Sequence, residues 1–201
     1  MKRYILHLSD VFFDEEFSDG EGIDLRDVES VNCYCAPQSA DVLRERLKDI
    51  PAQALHWIDT GDYHYLTLFF LEKLKEPFNL VLIDNHPDDQ PSAFEEPGML
   101  SCGGWVLEAR KLKHMVNSST APVYLSIDLD YLSPDEFRTD WSQGSASFER
   151  MLEDIRQAVN GRRILGVDIC GGITRSKGAT DNDLLLNRRL REKISGLLAG
   201  R

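Results

Sequence analysis

Six short apolar runs rich in Val, Ile, Leu and Tyr alternate along this chain with segments of helical period, and that alternation restricts the fold more than any other feature. The runs are YILHL (4–8), VNCYC (31–35), ALHWI (54–58), NLVLI (79–83), VYLSI (123–127) and ILGVDI (164–169). Between them, apolar residues recur three and four apart: Leu43 and Leu47; Leu66, Phe69, Phe70 and Leu74; Val106, Ala109 and Leu112; Phe148, Met151, Leu152, Ile155 and Val159. Strands apolar along nearly their whole length suit burial on both faces, which parallel strands joined by helical crossovers achieve. The pattern predicts an α/β protein, a three-layer α/β/α arrangement around a mostly parallel sheet. Its 201 residues fit one domain, expected to span 1–201.

Residues 11–30 carry eight acids and two glycines with no clean period, which predicts a surface loop whose Phe12, Phe13 and Phe17 tuck into the edge of the core. The four cysteines lack both C-x-x-C spacing and the density of a disulfide scaffold, so a reducing cytoplasm is the expected location. Cys33 and Cys35, two apart, are expected on one strand face as buried small hydrophobes. With 23 Lys and Arg against 34 Asp and Glu, the net charge of -11 disfavours nucleic acid and anionic lipid as partners. YILHL is too short for a signal-peptide core, and no run approaches the length of a membrane span.

In an open α/β sheet, ligands bind beyond the carboxyl ends of the strands. Two of the predicted strands end alike: NLVLI runs into Asp84-Asn85-His86-Pro87-Asp88, and VYLSI into Asp128-Leu129-Asp130. Residues two apart in extended chain point the same way, so Asp84 with His86, and Asp128 with Asp130, would each offer two ligands to one place. Four or five carboxylates crowded at a strand end cannot all ionise without a cation. Two divalent metals would resolve the conflict, and carboxylates mixed with imidazole, without thiolate, suit Mn²⁺.

The motifs TGDYHY (60–65), DNHPD (84–88) and SIDLDYLSP (126–134) stand in the order of the ligand motifs of the ureohydrolases, and this chain resembles that family over roughly residues 55 to 172. The resemblance implies an arginase-like fold with His64 as a sixth ligand. It implies one metal held by His64, Asp84, Asp88 and Asp128 and another by Asp84, His86, Asp128 and Asp130, with Asp84 and Asp128 bridging. It further implies attack on a trigonal carbon by a water shared between the two ions.

The chain departs from the family pattern at several places. Where members acting on free arginine or agmatine carry a Glu after the last core strand, this chain has Asp168-Ile169-Cys170-Gly171. Arg175 and Lys177 follow, a basic loop suited to an anionic end of the substrate, while Asp181 and Asp183 are the nearest acids downstream and read as caps of a helix start. Near the place of the family's proton-shuttling His stand Ser101 and Cys102, the expected catalytic residues together with Asp88. The family's substrate loop corresponds at best to WSQGSAS (141–147), with Ser145 its nearest match, and the third motif ends at Ser133-Pro134 without the final Asp. The expected function is hydrolysis of a C–N bond in a guanidino, amidino or amide compound, peptide-linked arginine included. The alternatives are a deacetylase-like amide hydrolase, a DHH-type phosphoesterase and a non-catalytic metal-binding relative. A small-molecule or peptide substrate is the expected partner, and self-association is left open.

Overall fold

The computed structural model describes residues 1–91, 93–94 and 97–199. Its centre is a six-stranded sheet of order β2-β1-β4-β8-β7-β5, every neighbouring pair parallel. The strands are β1 (Arg3–His7), β2 (Glu21–Asp24), β4 (Leu55–Trp57), β5 (Asn79–Ile83), β7 (Val123–Asp128) and β8 (Ile164–Cys170). A separate antiparallel ribbon pairs β3 (Tyr34–Cys35) with β6 (Leu100–Ser101). The helices are α1 (Val11–Asp14), α2 (Pro37–Leu47), α3 (Leu66–Leu71), α4 (Trp105–Ala109), α5 (Phe148–Val159) and α6 (Asp181–Ala199).

Strand side chains alternate between two cores, one on each face of the sheet. Tyr4 and Leu6 of β1, Tyr124 of β7 and Leu165 of β8 pack with Leu43 and Leu47 of α2, Phe69 and Phe70 of α3 and Trp105 of α4. Ile5, Leu125, Ile127, Val167 and Ile169 pack on the opposite face with Val11 and Phe12 of α1, Phe148 and Met151 of α5, and Leu190 and Ile194 of α6. The expected three layers are therefore present. Among the described residues no helix is long and apolar enough to cross a membrane.

Three local expectations need correction. Residues 11–30 are not simply a loop: they supply α1 and the edge strand β2, which extends the sheet beside β1. The exposed burial pattern of β2 explains why no apolar run marked it. Phe12 and Phe17 are buried, but Phe13 is 54% exposed, stacked on His7 beneath the Arg26 guanidinium. VNCYC is not a strand over its length. Cys33 sits at φ 56, and only Tyr34 and Cys35 are extended, so Cys33 and Cys35 do not share a strand face.

Helix α6 begins with a reciprocal cap: the Asp183 N–H donates to Thr180 Oγ1 at 3.2 Å, and Asp183 Oδ2 accepts from the Thr180 N–H at 2.9 Å. Thr180 is thus the cap, with Asp183 its partner. The same helix carries Arg191, fully buried, whose Nε donates to Glu15 Oε2 at 2.5 Å and whose Nη2 donates to the Gly171 carbonyl at 2.5 Å. Its guanidinium packs among Phe12, Trp57 and Phe137, and Asn187 donates to Glu15 at 3.0 Å. A buried cation needs such pairing, and here it ties α6 and α1 to the chain just beyond β8.

Candidate metal centre

Parallel pairing brings the carboxyl ends of β5, β7 and β8 to one edge. Ile83 is opposite Ile127, and Asp128 is opposite Cys170, so Asp84, Asp128 and Cys170 close three adjacent strands side by side. Beyond β7 the chain turns sharply through a 3₁₀ turn (Leu129–Tyr131), with Asp128 Oδ1 accepting from the Asp130 N–H at 2.9 Å. That turn sends Asp130 back toward β5, where its Oδ1 accepts from the Asn85 N–H at 3.1 Å.

His64 arrives from the loop after β4, beyond a 3₁₀ turn (Gly61–Tyr63). Its Nδ1 lies 3.2 Å from Asp84 Oδ2, 2.9 Å from Asp88 Oδ2 and 3.8 Å from Asp128 Oδ2. Its Nε2 is 2.8 Å from Ser126 Oγ, on the β7 strand. His86 repeats this arrangement: Nδ1 stands 2.8 Å from Asp130 Oδ2 and 3.6 Å from Asp84 Oδ1, with Nε2 2.8 Å from Ser142 Oγ. In both imidazoles a hydroxyl on Nε2 orients Nδ1 toward the carboxylates, the way outer hydrogen bonds orient metal-binding histidines. Asp88 is held at φ 45 with Oδ2 accepting from the Trp105 indole N–H at 2.7 Å.

Among the described residues, three groups each have ligand atoms within 4.8 Å of one another: His64 with Asp84 and Asp88; Asp84 with His86 and Asp130; His64 with Asp128 and Cys170. The donors fit divalent cations on an observation independent of motif. His64 Nδ1 and Asp84 Oδ2 are buried and without hydrogen bonds, although both are in ion-pair range of opposite charge. Buried polar atoms in that condition are costly unless something else satisfies them.

The charges are in conflict. Burial, then the charge of Asp84, pushes Asp128 up to about 6. Burial, then Asp128 and Asp84, pushes Asp130 up to about 9. Burial presses Asp84 upward too, but the adjacent His64 outweighs it and holds that carboxyl below its usual range. Burial would neutralise His64, yet Cys170, Asp84 and Asp88 outweigh it and keep the imidazolium well above its ordinary pKa. Bound cations would remove the conflict by giving every carboxylate a counter-charge.

A cavity of about 280 Å³ opens over these groups, lined by Asp84, His86, Asp88, Asp128 and Asp130 together with Cys33, Ser101, Cys102 and Trp141. Ser101 and Cys102 thus stand at the cavity wall. Burial, followed by the charges of Asp88 and Asp62, pushes the Cys102 thiol up to about 11, so it is protonated at neutral pH and is not an activated nucleophile.

Ser145 and Arg175 are not brought to the cavity: Ser145 is exposed on the loop before α5, and Arg175 is exposed and paired with Asp181 at 2.7 Å and with Asp14. Lys177 stands behind the rim, 3.3 Å from Asp140 and 3.9 Å from Asp62, whose Oδ1 accepts from the Trp141 indole at 2.9 Å. Sequence reasoning missed Ser142, three residues from Ser145, as well as Trp105, Cys33 and Cys170. Only Cys170, which follows a strand-end Asp-Ile, carried a positional signal. A larger cavity of about 500 Å³ lies under α5 and α6, lined by apolar side chains such as Leu125, Ile127, Met151 and Ile194, and is remote from the acids.

Gly171 has a structural reason. Its φ is 113, and a Cβ there would meet Asp128 Oδ1 and Leu129 Cβ at 3.1 Å. A side chain there would be strained in its backbone and would crowd the acids, so the position suits glycine. Asp168 points away, 2.6 Å from His56 Nδ1 and accepting from the Tyr124 hydroxyl at 2.8 Å.

No protein-family model matches the chain. An uncharacterized protein of Thermotoga maritima is 36% identical over 143 residues, covering 57% of this chain and 56% of the relative, so the matched region spans about half of that protein's length. Among solved structures, a hypothetical agmatinase from Burkholderia thailandensis superposes with a TM-score of 0.62 at 15% identity over 98% of this chain and 86% of that one. An arginase from Medicago truncatula gives 0.62 at 14% identity over 96% and 86%, and the formimidoylglutamase of Bacillus subtilis 0.60 at 12% over 98% and 86%. Identities this low establish a shared fold, and the fold is the three-layer arrangement of these enzymes.

Proposed function

We propose that this protein is a binuclear metal-dependent hydrolase acting on a non-peptide C–N bond of a guanidino, amidino or amide compound. The observation that carries the proposal is the buried pair His64 Nδ1 and Asp84 Oδ2, without hydrogen bonds among four carboxylates at the carboxyl edge of a sheet with the arginase and agmatinase fold. His64, Asp84, Asp88 and Asp128 would hold one cation, and Asp84, His86, Asp128 and Asp130 the other. When bound, such a pair supplies a water nucleophile at neutral pH and polarises the bond to be broken.

The chain's own groups position and exclude. Ser126 and Ser142 hold the two imidazoles, Trp105 holds Asp88, and the 280 Å³ cavity admits a planar head group while the walls of Cys102 and Trp141 limit bulk water. The protonated Cys102 thiol can donate a hydrogen bond to a departing amine. Substrates are proposed to be small molecules or the side chain of a peptide, peptide-linked arginine among them, handled in the cytoplasm without nucleic acid or membrane. The test is a screen of guanidino, amidino and acylated-amine compounds against protein loaded with Mn²⁺ and, separately, Zn²⁺. Amine or urea release that disappears in Asp128→Asn supports the proposal. Two ions bound per chain with no turnover across the screen would instead identify a non-catalytic metal-binding relative.

A further inference from the structure

The sequence motifs supply only oxygen and nitrogen donors, yet the strand register adds a sulfur. Cys170 ends β8 directly opposite Asp128, is fully buried, and its Sγ lies 3.1 Å from Asp128 Oδ2. With His64 and Asp128 it forms one of the three groups whose ligand atoms fall within 4.8 Å of one another. Neighbouring ligands of an ion bound at about 2.0–2.3 Å are separated by roughly 3–4 Å, and Asp128 Oδ2 lies 3.1 Å from Cys170 Sγ and 3.8 Å from His64 Nδ1. His64 Nδ1, which faces this group, has no hydrogen bond of its own.

Resting on the metal-centre reading above, we propose that Cys170 is a ligand of the ion held by His64, and that this site prefers a thiophilic divalent ion, Zn²⁺ or Co²⁺, over Mn²⁺. Binding replaces the Sγ–H bond with a metal–sulfur bond and releases the proton to solvent, with no change in oxidation state. A thiolate raises affinity for soft and borderline ions far more than for Mn²⁺, which also stands lowest in the intrinsic affinity order. Among the described residues, the group around His86 offers only oxygen and nitrogen donors, so the two positions would differ in selectivity.

Cobalt reports thiolate ligation directly. Chain stripped by chelator and titrated with Co²⁺ should develop a near-ultraviolet sulfur-to-cobalt charge-transfer band, retained in Cys102→Ala and lost in Cys170→Ser. In competition between Zn²⁺ and Mn²⁺, metal analysis of Cys170→Ser should show the preference for zinc reduced by at least about tenfold. Zinc-edge X-ray absorption of the unsubstituted chain should show a sulfur neighbour at about 2.3 Å, a readout that holds even if the serine variant folds poorly. Cobalt bound without the band, and zinc without a sulfur neighbour, would overturn Cys170 ligation and leave the thiol a hydrogen-bond donor to Asp128, with the binuclear reading intact. Failure to bind either ion would overturn both.

Discussion

His64 Nδ1 and Asp84 Oδ2 face each other at 3.2 Å, their side chains each 2% exposed and neither atom in a hydrogen bond. They come from loops after different strands, and the parallel sheet brings those loops to one edge. A salt bridge alone would leave the pair with most of its desolvation cost uncompensated, whereas a cation between the two satisfies both.

Asp128→Asn should abolish cooperative loading of two ions. Asp128 is proposed to bridge the two ions, so metal analysis should fall to one ion per chain or fewer. The rise in melting temperature on adding metal should shrink with it, because binding stabilises the native state only in proportion to affinity. Equal metal content in variant and parent would contradict the assignment.

The metal-stripped protein should lose stability as pH rises. Asp130 and Asp128 have folded pKa values of about 9 and about 6, both above the ordinary carboxylate value. Between that ordinary value and the folded one, the native state binds more protons than the unfolded chain, so unfolding free energy falls with increasing pH. His64, also raised, acts in the same direction. Denaturant midpoints of chelated protein should therefore decline between about pH 5 and 9, and the metal-loaded protein, whose carboxylates are already ionised, should show a flatter profile.

Ser142→Ala should weaken binding of the ion near His86 by roughly 10–100-fold while leaving the fold intact, since the serine acts only by orienting the imidazole. Isothermal titration resolving two sites would show the weaker phase alone displaced. A uniform effect on both sites would mean Ser142 supports the loop and not the ring.

Free L-arginine should be a poor substrate. Gly171 leaves no carboxylate for the guanidinium, Arg175 is turned away, and Lys177 is occupied by Asp140. Loss of one charge-assisted bidentate partner removes several kcal/mol, orders of magnitude in rate. Urea release from free arginine on the order of 10 per second or more would show that another acid reaches the substrate.

Arg191→Met should cost about 3–5 kcal/mol of stability, because Glu15 would be left buried without its cation. Combining it with Glu15→Gln should recover part of the loss in a double-mutant cycle followed by chemical denaturation.

The sequence by itself determined the layer architecture and most of the acidic constellation. Apolar runs buried on both faces require a parallel sheet, and a parallel sheet sends all its carboxyl ends to one edge. The acids that follow NLVLI and VYLSI therefore had nowhere else to gather. Local pattern is silent where burial comes from neighbours: β2 is exposed, Cys33 adopts a left-handed conformation in a run that reads as strand, and α6 is anchored by a buried ion pair whose halves lie 176 residues apart. The tertiary structure alone decided which hydroxyls hold the imidazoles, that Ser142 and not Ser145 reaches the site, and that Arg175 turns outward. It also placed the Cys170 sulfur beside Asp128, since that neighbour is fixed by strand register, a relation between residues 42 apart that no motif records.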